Sequence, residues 1–110
     1  MTLKKLSLAA CCAISILGSA SHAQQSEIRV SYSGGQFQPG ELRAPADTPL
    51  VVRIKNLDAK AMEFESKSLR VEKIVAAKSE GVINVRALKP GRYEFYDDFN
   101  EKARGVLTVQ

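Results

Sequence analysis

The chain has 110 residues, 45% of them hydrophobic and 25% charged, with 16 Lys and Arg against 12 Asp and Glu. That length fits a single domain, and the formal net charge of +4, which falls to +2 without Lys4 and Lys5, is too weak to point to a nucleic-acid partner. The two cysteines, Cys11 and Cys12, and the only histidine, His22, all lie in the first 23 residues, so the rest of the chain has no disulfide framework, no thiolate and no imidazole.

Residues 1–23 have the three parts of a secretory signal. Lys4 and Lys5 form the positive end, Leu6 to Leu17 an apolar stretch, and Ser21-His22-Ala23 the small-residue cleavage positions. The apolar stretch is shorter than the roughly 20 residues that span a bilayer, so a cleaved leader is expected rather than a membrane anchor. Leu8-Ala9-Ala10-Cys11 fits a bacterial lipoprotein pattern but comes too early, with almost no apolar stretch before it. The expected mature protein is periplasmic and begins at Gln24. The leader holds two of the basic residues and no acid, so the mature net charge is +2, from 14 basic and 12 acidic residues.

Beyond Ala23, short alternating runs are separated by turn residues, and no helical period develops. Ile28, Val30 and Tyr32 alternate with Glu27, Arg29 and Ser31 in a first strand that ends at Gly34-Gly35. Phe37 to Arg43 is a second extended piece, interrupted by Pro39-Gly40. Ala44 to Pro49 is a turn whose prolines limit ladder pairing. Leu50, Val52 and Ile54 then form the apolar row of the cleanest strand, which closes at Asn56-Leu57-Asp58. Further strands are expected at Ala61 to Ser66, Arg70 to Ala76, Val82 to Leu88, Arg92 to Tyr96 and from Gly105 onward. The pattern predicts an all-β Greek-key sandwich of seven to eight strands over residues 24–110. Leu88-Lys89-Pro90-Gly91-Arg92-Tyr93 predicts a tyrosine corner, with the phenol bonded back to upstream backbone.

Four stretches then carry a resemblance: Phe37-Gln38-Pro39-Gly40, Pro49 to Asn56, Ala61-Met62-Glu63-Phe64-Glu65, and Pro90-Gly91-Arg92-Tyr93 through Gly105-Val106-Leu107. In order and spacing the mature chain resembles the cupredoxins, most closely the branch found in EfeO-type iron-uptake proteins. The resemblance implies a metal site at one end of the sandwich. Glu63 stands at or beside the place of the family's first histidine, a position where the EfeO-like branch also has glutamate. Asp97 stands where the cysteine would be, Asn100 near the second histidine, and Arg104 near the methionine. A type 1 blue-copper centre needs a thiolate and two imidazoles, so that chemistry is excluded.

The donors that remain are hard: Glu63, Asp97, Asp98 and Asn100, with Glu65 and Glu101 in reserve. They suit Fe(III), and carboxylates also take Cu(II), Mn(II) or Ca(II). Period-two alternation puts Asp97 on the face of Tyr93 and Phe95, while Met62 and Phe64 send Glu63 and Glu65 outward. Purely structural accounts exist for each residue. Asp97-Asp98 reads equally as an acidic pair bonded to turn amides, and Glu63 and Glu65 as charges that keep an edge strand soluble. Met62 reads as core packing or a soft ligand, and Tyr96 as an exposed strand tyrosine or a phenolate donor to Fe(III). Lys55, Lys60, Lys67, Arg70, Lys73 and Lys78 form either a docking surface for an acidic partner or scattered solvated charges.

The resemblance implies an exported accessory protein of a bacterial iron-uptake system. It would bind iron, or a copper ion that assists iron oxidation, and hand it to a membrane iron permease or another periplasmic component. The alternative is a metal-free sandwich kept as a protein-interaction domain. An enzyme is not expected, since there is no histidine base and no thiol nucleophile after the leader.

Overall fold

A computed structural model describes residues 25–110, so the expected leader, its cleavage after Ala23 and Cys11 lie outside the described residues. Nine strands follow in chain order: β1 (Ser26–Ser33), β2 (Gln36–Gln38), β3 (Glu41–Ala44), β4 (Leu50–Asn56), β5 (Met62–Ser66), β6 (Val71–Val75), β7 (Glu80–Val85), β8 (Gly91–Asp97) and β9 (Asn100–Val109). They form a four-stranded sheet, β2-β1-β4-β7, and a five-stranded sheet, β3-β9-β8-β5-β6. β1 runs parallel to β4 and β3 parallel to β9, and every other pair is antiparallel. The Greek-key sandwich expected from the sequence is present, with nine strands in place of seven to eight. Phe37 to Arg43 is the cause. Its Pro39-Gly40 break divides it into β2 and β3, which join opposite sheets; proline gives no ladder donor and ends the first pairing there.

Alternation does the sorting. Ile28, Val30 and Tyr32 of β1, and Leu50, Val52 and Ile54 of β4, turn their side chains into the space between the sheets. Phe64, Phe95 and Leu107 face them from the other sheet. At one end of the sandwich Phe37 meets Phe95 edge-on with 4.9 Å between ring centres, and Phe64 stacks on Phe95 at the same distance. Each buried aromatic ring contributes about 1.5–3 kcal/mol. The contacts also tolerate little change. A Cβ at Gly105 would collide with the Phe95 ring, so β9 must carry glycine there. Gly34 and Gly35, with φ of 59° and 74°, make the tight turn between β1 and β2.

The tyrosine corner is present. The Tyr93 hydroxyl donates to the Lys89 carbonyl at 2.7 Å. Tyr93→Phe is expected to cost about 1 kcal/mol, the net worth of one such bond. A urea midpoint unchanged from the parent would show that the corner is dispensable.

Candidate metal centre

Two groups of acids stand on opposite faces of the five-stranded sheet, joined through one stretch of backbone. Asp97, at the end of β8, continues the inward row of Tyr93 and Phe95 and is 2% exposed. The Tyr32 hydroxyl, from the other sheet, donates to its Oδ2 at 2.6 Å. The amides of Glu63 and Phe99 donate to its Oδ1 at 2.9 and 3.0 Å. Burial, reinforced by the Asp97 carboxylate, pushes the Tyr32 phenol up to about 12. Asp97 thus ties the two sheets together, with three of its roughly four acceptor sites in use. Asn100 lies beyond it, on the wall of a cavity of about 310 Å³ shared with Gly35, Asp58, Lys60 and Phe99. The loop before β5 is pinned by the fully buried Asn56, whose Nδ2 donates to the Lys60 carbonyl at 2.8 Å while its Oδ1 accepts from the Asp58 amide at 3.0 Å.

Glu63 is held at both of its backbone polar groups by the hairpin that carries Asp97. Its amide donates to Asp97 Oδ1, and its carbonyl accepts from the Asp98 amide at 2.8 Å. Its side chain points away from Asp97, as the alternation with Met62 and Phe64 requires. The edge-strand reading of Glu63 and Glu65 needs correction, because β5 lies between β8 and β6. Flanked on both sides, Glu63 is only 6% exposed.

On that outer face Glu65 is the direct cross-strand partner of Glu72, and like charges so placed repel. One carboxylate oxygen from each of Glu63, Glu65 and Glu72 lies within 4.8 Å of the others. Hydrogen bonding with Glu72, then burial, then the charges of Glu72, Asp98 and Glu65 push the Glu63 carboxyl up to about 7. Glu65 is raised as well, by burial first and then by Asp98 and Glu72. Among the described residues no Lys or Arg nitrogen comes within 4.0 Å of these acids. The four-stranded sheet behaves differently: Glu27 pairs with Arg29 and Arg53, and Arg53 also reaches Glu80. The outer-face acids form a group of hard oxygen donors with no direct ion-pair partner, their repulsion offset in part by Lys67.

The structure therefore brings Glu63 and Asp98 together with Glu65, and it sets Asp97 and Asn100 apart from them at the mouth of the sandwich. Glu101 lines a separate groove with Lys67, Arg92, Glu94, Tyr96 and Arg104. Glu72 was not among the residues singled out from the sequence. It sits beside Lys73 in a short strand of otherwise apolar residues, and only the β5–β6 register reveals it.

A small sandwich of two mixed sheets, with polar residues gathered where its strands end, defines the class of copper-protein-like β domains. The chain belongs to the cupredoxin-like domain family, whose sequence model matches residues 6–109. It is 34% identical over 84 residues to an uncharacterized protein of Rickettsia prowazekii (strain Madrid E), an alignment covering 76% of this chain and 67% of that one. Two solved structures share the fold. The metal-binding domain of the Cu(I)-exporting P-type ATPase of Streptococcus pneumoniae, solved with Cu(I), matches with a TM-score of 0.70 and 17% identity over 76% of this chain and 84% of that one. Auracyanin A, a blue copper protein from Chloroflexus aurantiacus, matches with a TM-score of 0.68 and 14% identity over 79% of this chain and the whole of its own.

The family implies copper at the mouth, and the residues there do not fit a blue-copper ion. Asp97 already accepts three hydrogen bonds, Asn100 is a neutral amide, and no thiolate or imidazole stands among the described residues.

Proposed function

We propose that the protein is an exported, periplasmic metal-handling module that binds a hard cation, iron foremost, on the outer face of its five-stranded sheet. It hands that ion to a membrane iron permease or another component of an uptake system. The observation that carries this reading is the carboxylate group Glu63, Glu65 and Glu72, with a nearly buried Glu63 and, among the described residues, no Lys or Arg in a direct ion pair with it. Three clustered carboxylates select hard ions and disfavour Cu(I). The resemblance to EfeO-type proteins supports iron as the cargo. The fold shared with a domain of a copper-exporting ATPase supports service beside a membrane transporter. No helix among the described residues is long and apolar enough to cross a membrane. A copper ion assisting iron oxidation would use the same oxygen donors.

A specific observation favours the second reading, a metal-free interaction domain. At the mouth Asp97 is engaged by three hydrogen bonds, and Phe99 stands beside it 57% exposed. Equilibrium titration of the purified protein with Fe(III), Fe(II), Cu(II) and Mn(II) separates the two. The metal reading expects one site per chain, with Glu63→Ala or Glu72→Ala weakening it by about tenfold or more, because affinity at oxygen sites follows the number of charged ligands. A folded protein that takes up none of these ions leaves the interaction domain as the function.

A further inference from the structure

Connectivity gathers positive charge at the end of the sandwich opposite the mouth. Three connections close that end: residues 45–49 between β3 and β4, 67–70 between β5 and β6, and 86–90 between β7 and β8. They carry Lys67, Arg70, Arg86 and Lys89 against one acid, Asp47, and Arg92 follows at the start of β8. All five cations are exposed, and among the described residues none has a carboxylate oxygen within 4.0 Å. The connections at the mouth, 34–35, 57–61, 76–79 and 98–99, instead balance Lys60 and Lys78 against Asp58 and Asp98. The basic run of the middle third is thus divided, with Lys67 and Arg70 at one end and Lys55, Lys60 and Lys78 at the other.

The basic array is held in place by hydrogen bonds. Ser66, buried beneath the 67–70 turn, accepts from the Leu69 amide at 3.2 Å and donates to the Glu94 carbonyl at 2.6 Å. Arg86 fastens that turn to the next connection, donating to the carbonyls of Leu69 at 2.7 Å and Ser68 at 3.4 Å. Its other N–H groups remain for an anion. Lys67 and Arg92 line one groove and Arg70 and Arg86 another, so the charges spread across the end instead of converging on one small ion. The large apolar side chains exposed among the described residues, Leu57, Ile74, Val82 and Phe99, all lie elsewhere. A stable protein interface builds on an apolar core with aromatic anchors, whereas attraction to charged lipid headgroups needs neither. β1 also starts at this end, its Ser26 amide donating to the Pro49 carbonyl at 3.1 Å. The chain that precedes it, with the expected leader, therefore joins the domain here, and export tethers this end to the membrane.

We propose that the end formed by Lys67, Arg70, Arg86, Lys89 and Arg92 is a docking surface for a membrane bearing anionic phospholipid. Five cations fall within the cluster of about four to eight Lys and Arg that holds a protein to such a surface. The arginines offer phosphate their planar forks and the lysines point charges, so attachment is electrostatic and reversed by salt. Docked in this way, the domain turns its mouth and the exposed Phe99 away from the bilayer, where a partner can reach them. The docking surface is independent of whether the outer-face acids take a cation.

The test is sedimentation of the expected mature chain from Gln24, which contains all nine strands, with vesicles of phosphatidylcholine alone or mixed with phosphatidylglycerol. The protein should pellet with the mixed vesicles in low salt and stay in solution with the neutral ones. It should be released at about 1 M salt, where screening confines charge interactions to about 3 Å. Arg70→Gln combined with Lys89→Gln should weaken binding by about tenfold or more, the effect of losing two cations that face the headgroups. Lys55→Gln combined with Lys60→Gln removes the same charge from the mouth end and should change binding by less than about twofold, because those residues stand beyond the screening distance. Equal loss in the two double variants would mean attraction to net charge alone and would overturn the docking surface. Equal binding to neutral vesicles would overturn it as well. So would failure to pellet with anionic vesicles in low salt, and retention on immobilised polyglutamate would then assign this end to an acidic protein.

Discussion

Asp97→Ala is expected to cost about 3–5 kcal/mol and to leave much of the protein unfolded at room temperature. The substitution removes the acceptor of three hydrogen bonds at once and strands a buried Tyr32 hydroxyl together with the amides of Glu63 and Phe99. Each orphaned buried donor costs about 1–3 kcal/mol, less where water from the mouth cavity can replace the lost oxygen. A domain of this size has about 4–13 kcal/mol of total stability, so the loss takes a large part of it. Asp97→Asn should cost much less, because its carbonyl oxygen can still accept from both amides and only the Tyr32 bond changes character. Tyr32→Phe, which removes that one bond from the other side, should fall near the asparagine variant. Urea midpoints for the three variants check the ordering. An alanine variant as stable as the asparagine one would mean that Asp97 does not tie the sheets.

The same residue shows how far the sequence could be read. Alternation along Tyr93, Phe95 and Asp97 placed Asp97 on the inner face, and there it lies. Parity also sent Glu63 outward, and it points outward. Family position drew the two together as partners at one site. They do meet, through the Glu63 amide, but their side chains leave opposite faces of the sheet. Contact between strands is set by register, which alternation within one strand does not contain. That is also why Glu72 escaped notice: its significance comes from standing opposite Glu65. The sandwich itself was legible because turn residues punctuate nearly every strand, and the one miscount arose where Pro39-Gly40 passes the chain from one sheet to the other.

The outer-face acids should also give the metal-free protein an unusual response to pH: stability should fall as pH rises from about 4.5 to about 7. Glu63 has an ordinary value of 4.5 and is raised to about 7 in the folded protein, mainly by hydrogen bonding with Glu72 and by burial. Between those values the folded chain holds a proton that the unfolded chain has released. Stability rises with pH only where the unfolded state binds more protons, so here the sign is negative. The favourable contribution is complete below pH 4.5 and lost above pH 7. Glu65, raised as well, acts in the same direction, so the quantity specific to Glu63 is the difference between the parent and Glu63→Gln. The glutamine variant cannot ionise and should gain on the parent steadily across that window, remaining more stable at pH 8. A bound cation should act in the same direction, since it replaces the shared proton and expels it on binding. Denaturation midpoints at pH 5, 6, 7 and 8, with and without Mn(II), test both statements. Parallel curves for parent and variant would mean that Glu63 carries no extra proton, and the repulsion that makes this face receptive to a metal would be absent.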